Sequence, residues 1–239
     1  AGRGVRRVGL VGCGRWGRHI LRDLLELGAE VHVAAPSAET RAFAEAKGAA
    51  GACAEAAALP EADGYVVAAP TVLHAGIVET LLPRGVPIFV EKPLACDLAD
   101  AERMLAAAPD RIFCMDKWRY HGGVRALARL AREGALGEVR SVTSWRLGWG
   151  NPHRDVDAIW ILAPHDLSIA LEILGDLPPA AAADGLAVEG VGETLRGLLA
   201  SPPGAGPRVE IEVSSAHPVN RRSVVVIGDE GAAQFGDSY

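Results

Sequence analysis

Cysteine is scarce in this chain of 239 residues: Cys13, Cys53, Cys96 and Cys114 stand far apart and form no C-x-x-C pair. That spacing suggests neither a zinc site nor a disulfide framework, and it reads as buried or incidental thiols in a reducing compartment. Positive charge is in the minority, with 24 Lys and Arg against 30 Asp and Glu, for a formal net charge of -6. Neither nucleic acid nor an anionic membrane surface attracts such a protein non-specifically, which leaves a small polar metabolite as the expected partner. No apolar run reaches the roughly 18 residues that a membrane span needs. The first residues pass into a strand without the apolar core of a signal peptide, so a cytoplasmic location is expected. The chain opens on alanine, which reads as a processed or trimmed start, with residues 1–4 carrying no fold information.

What is present suffices for a buried core: 49% of residues are hydrophobic and 23% charged, enough for one large domain or two modest ones. Apolar runs and helical periodicities alternate. Strands are predicted over 7–11, 30–34, 64–69, 86–90 and 111–115, with a short segment near 51–53 left unassigned. Helices are predicted over 18–27, 38–47, 73–82 and 98–107, the last capped by Asp97. This βα alternation predicts a doubly wound parallel sheet, a Rossmann α/β domain over residues 1–117. Beyond it the rhythm changes. Helices over 124–132 and 165–174 and strands over 138–146, 187–191, 194–200, 208–214 and 223–227 predict a second, shortened α+β domain over 118–239 with a mostly antiparallel open sheet. The alanines at 180–183 read as a loop.

Gly12-Cys13-Gly14-Arg15-Trp16-Gly17 matches G-x-G-x-x-G between the first strand and the first helix, the context that gives this fingerprint its meaning. The first glycine permits a tight turn, the second lets backbone approach a pyrophosphate, and the third lets helix and strand pack closely. Gly12, Gly14, Arg15, Trp16 and Gly17 are therefore candidate cofactor residues. The acid expected at the end of the second strand, where it binds ribose hydroxyls, is replaced by Ala34-Ala35-Pro36-Ser37. Glu30 begins that strand and so lies at its wrong end. Without a carboxylate to repel a 2′-phosphate, and with Ser37, Thr40 and Arg41 as donors, NADP is favoured over NAD. Arg41 reads equally well as an exposed helix residue.

Ala69-Pro70-Thr71-Val72-Leu73-His74 follows one strand and Val90-Glu91-Lys92-Pro93 follows the next, at the sheet edge where open α/β sheets bind ligands. These segments resemble the glucose-fructose oxidoreductase, inositol dehydrogenase and MocA family of NAD(P)-dependent oxidoreductases. The likeness continues through Lys117-Trp118-Arg119-Tyr120, Gly134-Ala135-Leu136-Gly137-Glu138-Val139 and Ala163-Pro164-His165-Asp166, and it covers residues 7 to about 177. The resemblance implies a Rossmann domain followed by an open-faced sheet domain, with the active site between them. It implies hydride transfer between NAD(P) and a hydroxyl or keto group of a sugar, cyclitol or related small metabolite. It further assigns Lys92 to the substrate oxygen and His165, read as opening a helix, to a second proton-transfer role. A lysine beside a cationic nicotinamide suits this chemistry, because a neighbouring positive charge favours its neutral form. Glu91 orients the lysine or the cofactor, while Ala69, Pro70, Thr71 and His74 join the cofactor residues.

The family often has an aspartate four residues before this histidine, where this chain has Ile161. Asp157 and Asp166 are candidate substitutes, though each reads as readily as a loop acid and a first-turn helix charge. His121 and His153 are either substrate contacts or surface groups. No spacing of His, Cys, Asp or Glu suggests a metal. The family pairs molecules through its second sheet, so a homodimer or homotetramer is expected. Two other readings stay open: an imine or biliverdin-type reductase, and a nicotinamide-binding sensor or scaffold that has lost catalysis.

Overall fold

The computed structural model describes residues 6–150, 157–189, 192–202 and 204–237. His153 lies outside the described residues, as do the last two residues of the strand expected over 187–191. Close contacts divide the chain into two units, Ala1–Met115 and Asp116–Tyr239.

The first unit is built on a six-stranded sheet of β1 (Arg7–Val11), β2 (Glu30–Ala34), β3 (Gly51–Cys53), β4 (Gly64–Val67), β5 (Ile88–Val90) and β6 (Ile112–Cys114). Its order is β3-β2-β1-β4-β5-β6 and every pairing is parallel. Successive strand residues point to opposite faces, and both faces are covered. Leu10 and Val66 pack with Ile20 and Leu21 of α1 (Gly17–Glu26) and Ala44 of α2 (Ala38–Ala46). Val11, Tyr65 and Val67 pack on the other side with Val78 and Leu81 of α3 (His74–Leu81) and Met104 of α4 (Leu98–Ala107). Asp97 caps α4 as expected, accepting the backbone N–H of Asp100 at 2.8 Å. The strand order reverses between β1 and β4, which is the switch point where this fold holds ligands.

The second unit places α5 (Gly122–Arg132) and α6 (Ala158–Leu174) on a six-stranded sheet of β7 (Val139–Trp149), β8 (Ala180–Val188), β9 (Gly192–Ala200), β10 (Arg208–Ser214), β11 (Ala216–Gly228) and β12 (Ala232–Asp237). The order is β12-β11-β7-β10-β9-β8, antiparallel except for the β7–β10 pair. Val142 of β7, Val209, Ile211 and Val213 of β10, and Val224 and Val226 of β11 turn inward onto Val124, Leu127, Ile169 and Ile173 of the helices.

Three expectations are corrected in this unit. The helix carrying His165 begins at Ala158 and runs through Pro164, so His165 lies in its middle. A proline inside a helix lacks the N–H that would close the preceding turn, which is why Pro164 reads as a boundary in sequence. The true start is set by Asp157, whose Oδ1 accepts the N–H of Trp160 at 2.7 Å, and Asp157 is therefore a helix cap. The alanine run at 180–183 is the beginning of β8, an edge strand whose residues are exposed throughout. A further strand, β12, follows the turn at Asp229–Gly231 and pairs with β11.

Candidate functional site

The loop leaving β1 satisfies each of the fingerprint's steric demands separately. Gly12 has φ +90°, and a Cβ there would lie 2.6 Å from the Ala68 carbonyl oxygen, so the neighbouring β4 loop forbids a side chain. A Cβ on Gly17 would stand 2.2 Å from the Gly12 carbonyl, so α1 can approach the strand only as glycine. Gly14 differs from both, since a Cβ there would meet nothing within 4 Å. The space it leaves open is where a pyrophosphate would lie against the turn. α1 starts at Gly17 without a side-chain cap on Trp16 and without an acid in its first turn. The positive end of its dipole therefore meets no carboxylate from its own first turn. These residues fit a dinucleotide phosphate. Arg15 and Trp16 are exposed on the same turn. Cys13 points inward, and burial pushes its thiol up despite the opposing Arg18 charge.

At the end of β2, Ala34 and Ala35 are buried and Ser37 caps α2, its Oγ accepting the N–H of Thr40 at 3.3 Å. Arg41 Nη1 donates to the carbonyls of Ala35 at 2.8 Å and Pro36 at 2.7 Å. The guanidinium is thus held against the loop that follows β2 and does not stream away along the helix. Glu30 stands at the opposite end of the strand between His32 at 2.9 Å and Arg7 at 2.7 Å, and these hydrogen bonds hold its carboxyl below the usual carboxylate range.

The loops after β4 and β5 meet at His74. Its Nε2 is 2.9 Å from the Ala69 carbonyl oxygen and its Nδ1 is 3.0 Å from that of Pro93. The ring is buried, with both nitrogens committed to backbone, so His74 acts through the loops it joins. Thr71 is buried beside it and Pro70 is exposed. Glu91 then bridges two loops: Oε1 accepts the indole N–H of Trp16 at 2.5 Å, and Oε2 accepts the backbone N–H of Lys92 at 3.2 Å. Lys92 is half-buried, and its peptide bond to Pro93 is cis. The glycine turn, His74, Glu91 and Lys92 thus gather at the carboxyl ends of β1, β4 and β5.

In the second unit His165 is buried in the middle of α6, and Ile161, one turn earlier, is buried as well. Asp166 is no first-turn surface charge. Its Oδ2 accepts from Arg146 Nε at 2.7 Å, its Oδ1 accepts the Ser144 hydroxyl, and the Arg146 guanidinium also lies over the Trp118 ring at 4.7 Å. Asp166 therefore anchors α6 to β7, and its partners Arg146 and Ser144 are unannounced by any motif. The signal was present in β7, where Val142, Ser144 and Arg146 alternate onto the helix-packed face, so polar groups at inward positions require buried partners. His121 caps α5, its Nδ1 accepting the Gly123 N–H at 3.1 Å, and its ring lies between Trp118 at 5.3 Å and Phe235 at 4.8 Å. Among the described residues no group of three or more His, Cys, Asp or Glu could hold a metal, and no helix is long and apolar enough to cross a membrane.

Residues 6–112 match the family model GFO_IDH_MocA, described as an oxidoreductase family with an NAD-binding Rossmann fold. The chain is 30% identical over 191 residues to a D-apiose dehydrogenase of Paraburkholderia graminis, a match covering 73% of this chain and 51% of that one. It is 29% identical over 135 residues to a UDP-N-acetylglucosamine 3-dehydrogenase of Acidithiobacillus ferrooxidans, covering 55% and 42%. The matches thus span about half or less of those relatives' length. Among solved structures, the WlbA dehydrogenase of Bordetella pertussis, in complex with NADH and UDP-GlcNAcA, superposes with a TM-score of 0.81 at 23% identity, covering 98% of this chain and 74% of that one. Over residues 6–112 the chain is thus similar to the GFO_IDH_MocA oxidoreductase family, with its NAD-binding Rossmann fold.

Proposed function

We propose that the chain is an NAD(P)-dependent dehydrogenase or reductase acting on a hydroxyl or keto group of a sugar, cyclitol or related small metabolite. The first unit binds the dinucleotide, and the second supplies substrate contacts. The observation that carries this reading is the placement of Lys92 at the same sheet edge as a glycine turn whose Gly14 faces open space. When bound, the nicotinamide supplies or accepts the hydride. Lys92 holds the proton at the substrate oxygen, donating it in reduction and withdrawing it in oxidation. His165 is the second proton-transfer group. The D-apiose dehydrogenase and the UDP-N-acetylglucosamine 3-dehydrogenase support a sugar substrate.

NADP is the preferred cofactor in this reading. No carboxylate stands at the end of β2, and Ser37 and Arg41 lie on the loop and helix that follow it. A thermal-shift comparison tests the choice: NADP should stabilise the protein more than NAD at equal concentration, and stabilisation by NAD alone would reverse it. Turnover tests the activity. NADPH consumption followed at 340 nm against a panel of ketosugars, nucleotide ketosugars and ketocyclitols should reveal a substrate, and silence across the panel in both directions would overturn the enzyme assignment.

Assembly is proposed to run through the second unit's sheet, as a homodimer or homotetramer in the cytoplasm. One face of that sheet is packed by α5 and α6, while the other carries Thr143, Trp145 and Leu198, with Arg221 lying 4.0 Å over the Trp145 ring. Light scattering on the purified protein reads the state directly, and a monomer at micromolar concentration would refute the pairing.

A further inference from the structure

The main chain on either side of Lys92 is held by two side chains, Glu91 from its own loop and His74 from the start of α3. On one side, Glu91 shares its carboxylate between the Trp16 indole N–H at 2.5 Å and the Lys92 backbone N–H at 3.2 Å. On the other, the Pro93 carbonyl lies 3.0 Å from the buried ring of His74, which is also seated on Ala69. The two supports differ in kind. His74 is enclosed, whereas Trp16 is 46% exposed and belongs to the glycine turn itself. Its ring contributes little to the core, yet its one polar group is spent on the acid that precedes the lysine. A hydrogen bond to a carboxylate is stronger than one between neutral groups, so displacement of the turn is transmitted to Glu91 and does not dissipate in solvent.

We propose that Trp16 and Glu91 form a latch through which occupancy of the glycine turn sets the position of Lys92, making both of them positioning residues. The inference rests on the dinucleotide reading of that turn. A phosphate settling against Gly14 draws the turn's N–H groups towards itself and carries Trp16 with it. Because Pro93 is fixed by His74, the movement is taken up at Glu91 and the Lys92 backbone. Linkage makes the effect reciprocal, so the arrangement of Lys92 in turn biases the affinity of the turn for phosphate.

ADP-ribose is the suitable probe, since it carries the pyrophosphate but no nicotinamide ring that would shield the lysine. Lys92 acetylation by trace acetic anhydride is followed by peptide mass spectrometry, with and without saturating ADP-ribose for each protein, while calorimetry records binding. In the wild type, saturation should change the Lys92 labelling rate by about fivefold, the lower range of a typical coupling between sites. Trp16→Phe and Glu91→Ala should each abolish the change, and the double variant should lose no more than either single variant, as expected of partners in one contact. Either single variant carries the test alone. A full response in Trp16→Phe, or losses that add in the double variant, would overturn the latch. Binding of ADP-ribose to the wild type without any change at Lys92 would refute the latch and leave the dinucleotide reading standing. No binding would remove both.

Discussion

Arg146 on β7 donates through Nε to Asp166 on α6 at 2.7 Å, with side-chain exposures of only 7% and 1%. An ion pair so enclosed tolerates the loss of neither partner singly, because the survivor stays charged in a site that water no longer reaches. Asp166→Ala should therefore destabilise the second unit by about 3–5 kcal/mol, whereas the double replacement Arg146→Met, Asp166→Leu should recover most of that loss. Urea titration followed by circular dichroism separates the two outcomes, and equal losses in the single and double variants would refute the paired arrangement.

Two glycines of one turn should behave differently. Gly17→Ala drives a methyl against the Gly12 carbonyl and should lower the melting temperature together with cofactor affinity. Gly14→Ala places its methyl in open space, so the melting temperature should stay near wild type. The affinity for NADPH, read by nucleotide fluorescence, should nevertheless fall at least about tenfold, roughly 1.4 kcal/mol. Undiminished binding in Gly14→Ala would move the phosphate elsewhere.

Replacement of Lys92 by alanine should leave NADPH binding measurable and lower kcat by about 10²–10⁴-fold, the usual contribution of a positioned acid or base. His165→Asn should lower kcat as well. Full activity in Lys92→Ala, on any substrate the panel reveals, would take the lysine out of the chemistry.

Asp229, at the turn before β12, accepts from Arg140 at 2.9 Å and from the Glu138 backbone N–H at 2.8 Å, and its carboxyl is held below the usual aspartate range, chiefly by the arginine. A carboxyl whose folded value is depressed stabilises the fold above its unfolded value, and that stability is lost as pH falls through the folded value. Thermal melts should show wild type ahead of Asp229→Asn at neutral pH. The gap should close as pH drops below about 3.9, the ordinary aspartate value. A gap that widened in acid would contradict the assignment.

The glycine turn, the doubly wound order and the sheet edge bearing Lys92 were legible in sequence because each is written in short-range spacing: G-x-G-x-x-G after a strand, then strand and helix in alternation. The start of α6 was not, since Pro164 looks like a helix boundary to any local rule and only the Asp157 cap reveals otherwise. β8 was hidden for a different reason. Its alanines carry no period of two, and the strand exists through its ladder to β9. Asp166 was misread because its partners Ser144 and Arg146 lie on another element, and sequence distance says nothing about which charge a buried acid will meet.

Gly14 also bears on how the chain drifts under mutation. Nothing in the fold forbids a side chain there, and exchanging glycine for alanine at a permissive position stabilises a protein by about 0.4–1 kcal/mol by restricting the unfolded chain. If the turn holds a dinucleotide as proposed, a relative that no longer bound one would be free to lose Gly14 while still needing Gly12 and Gly17.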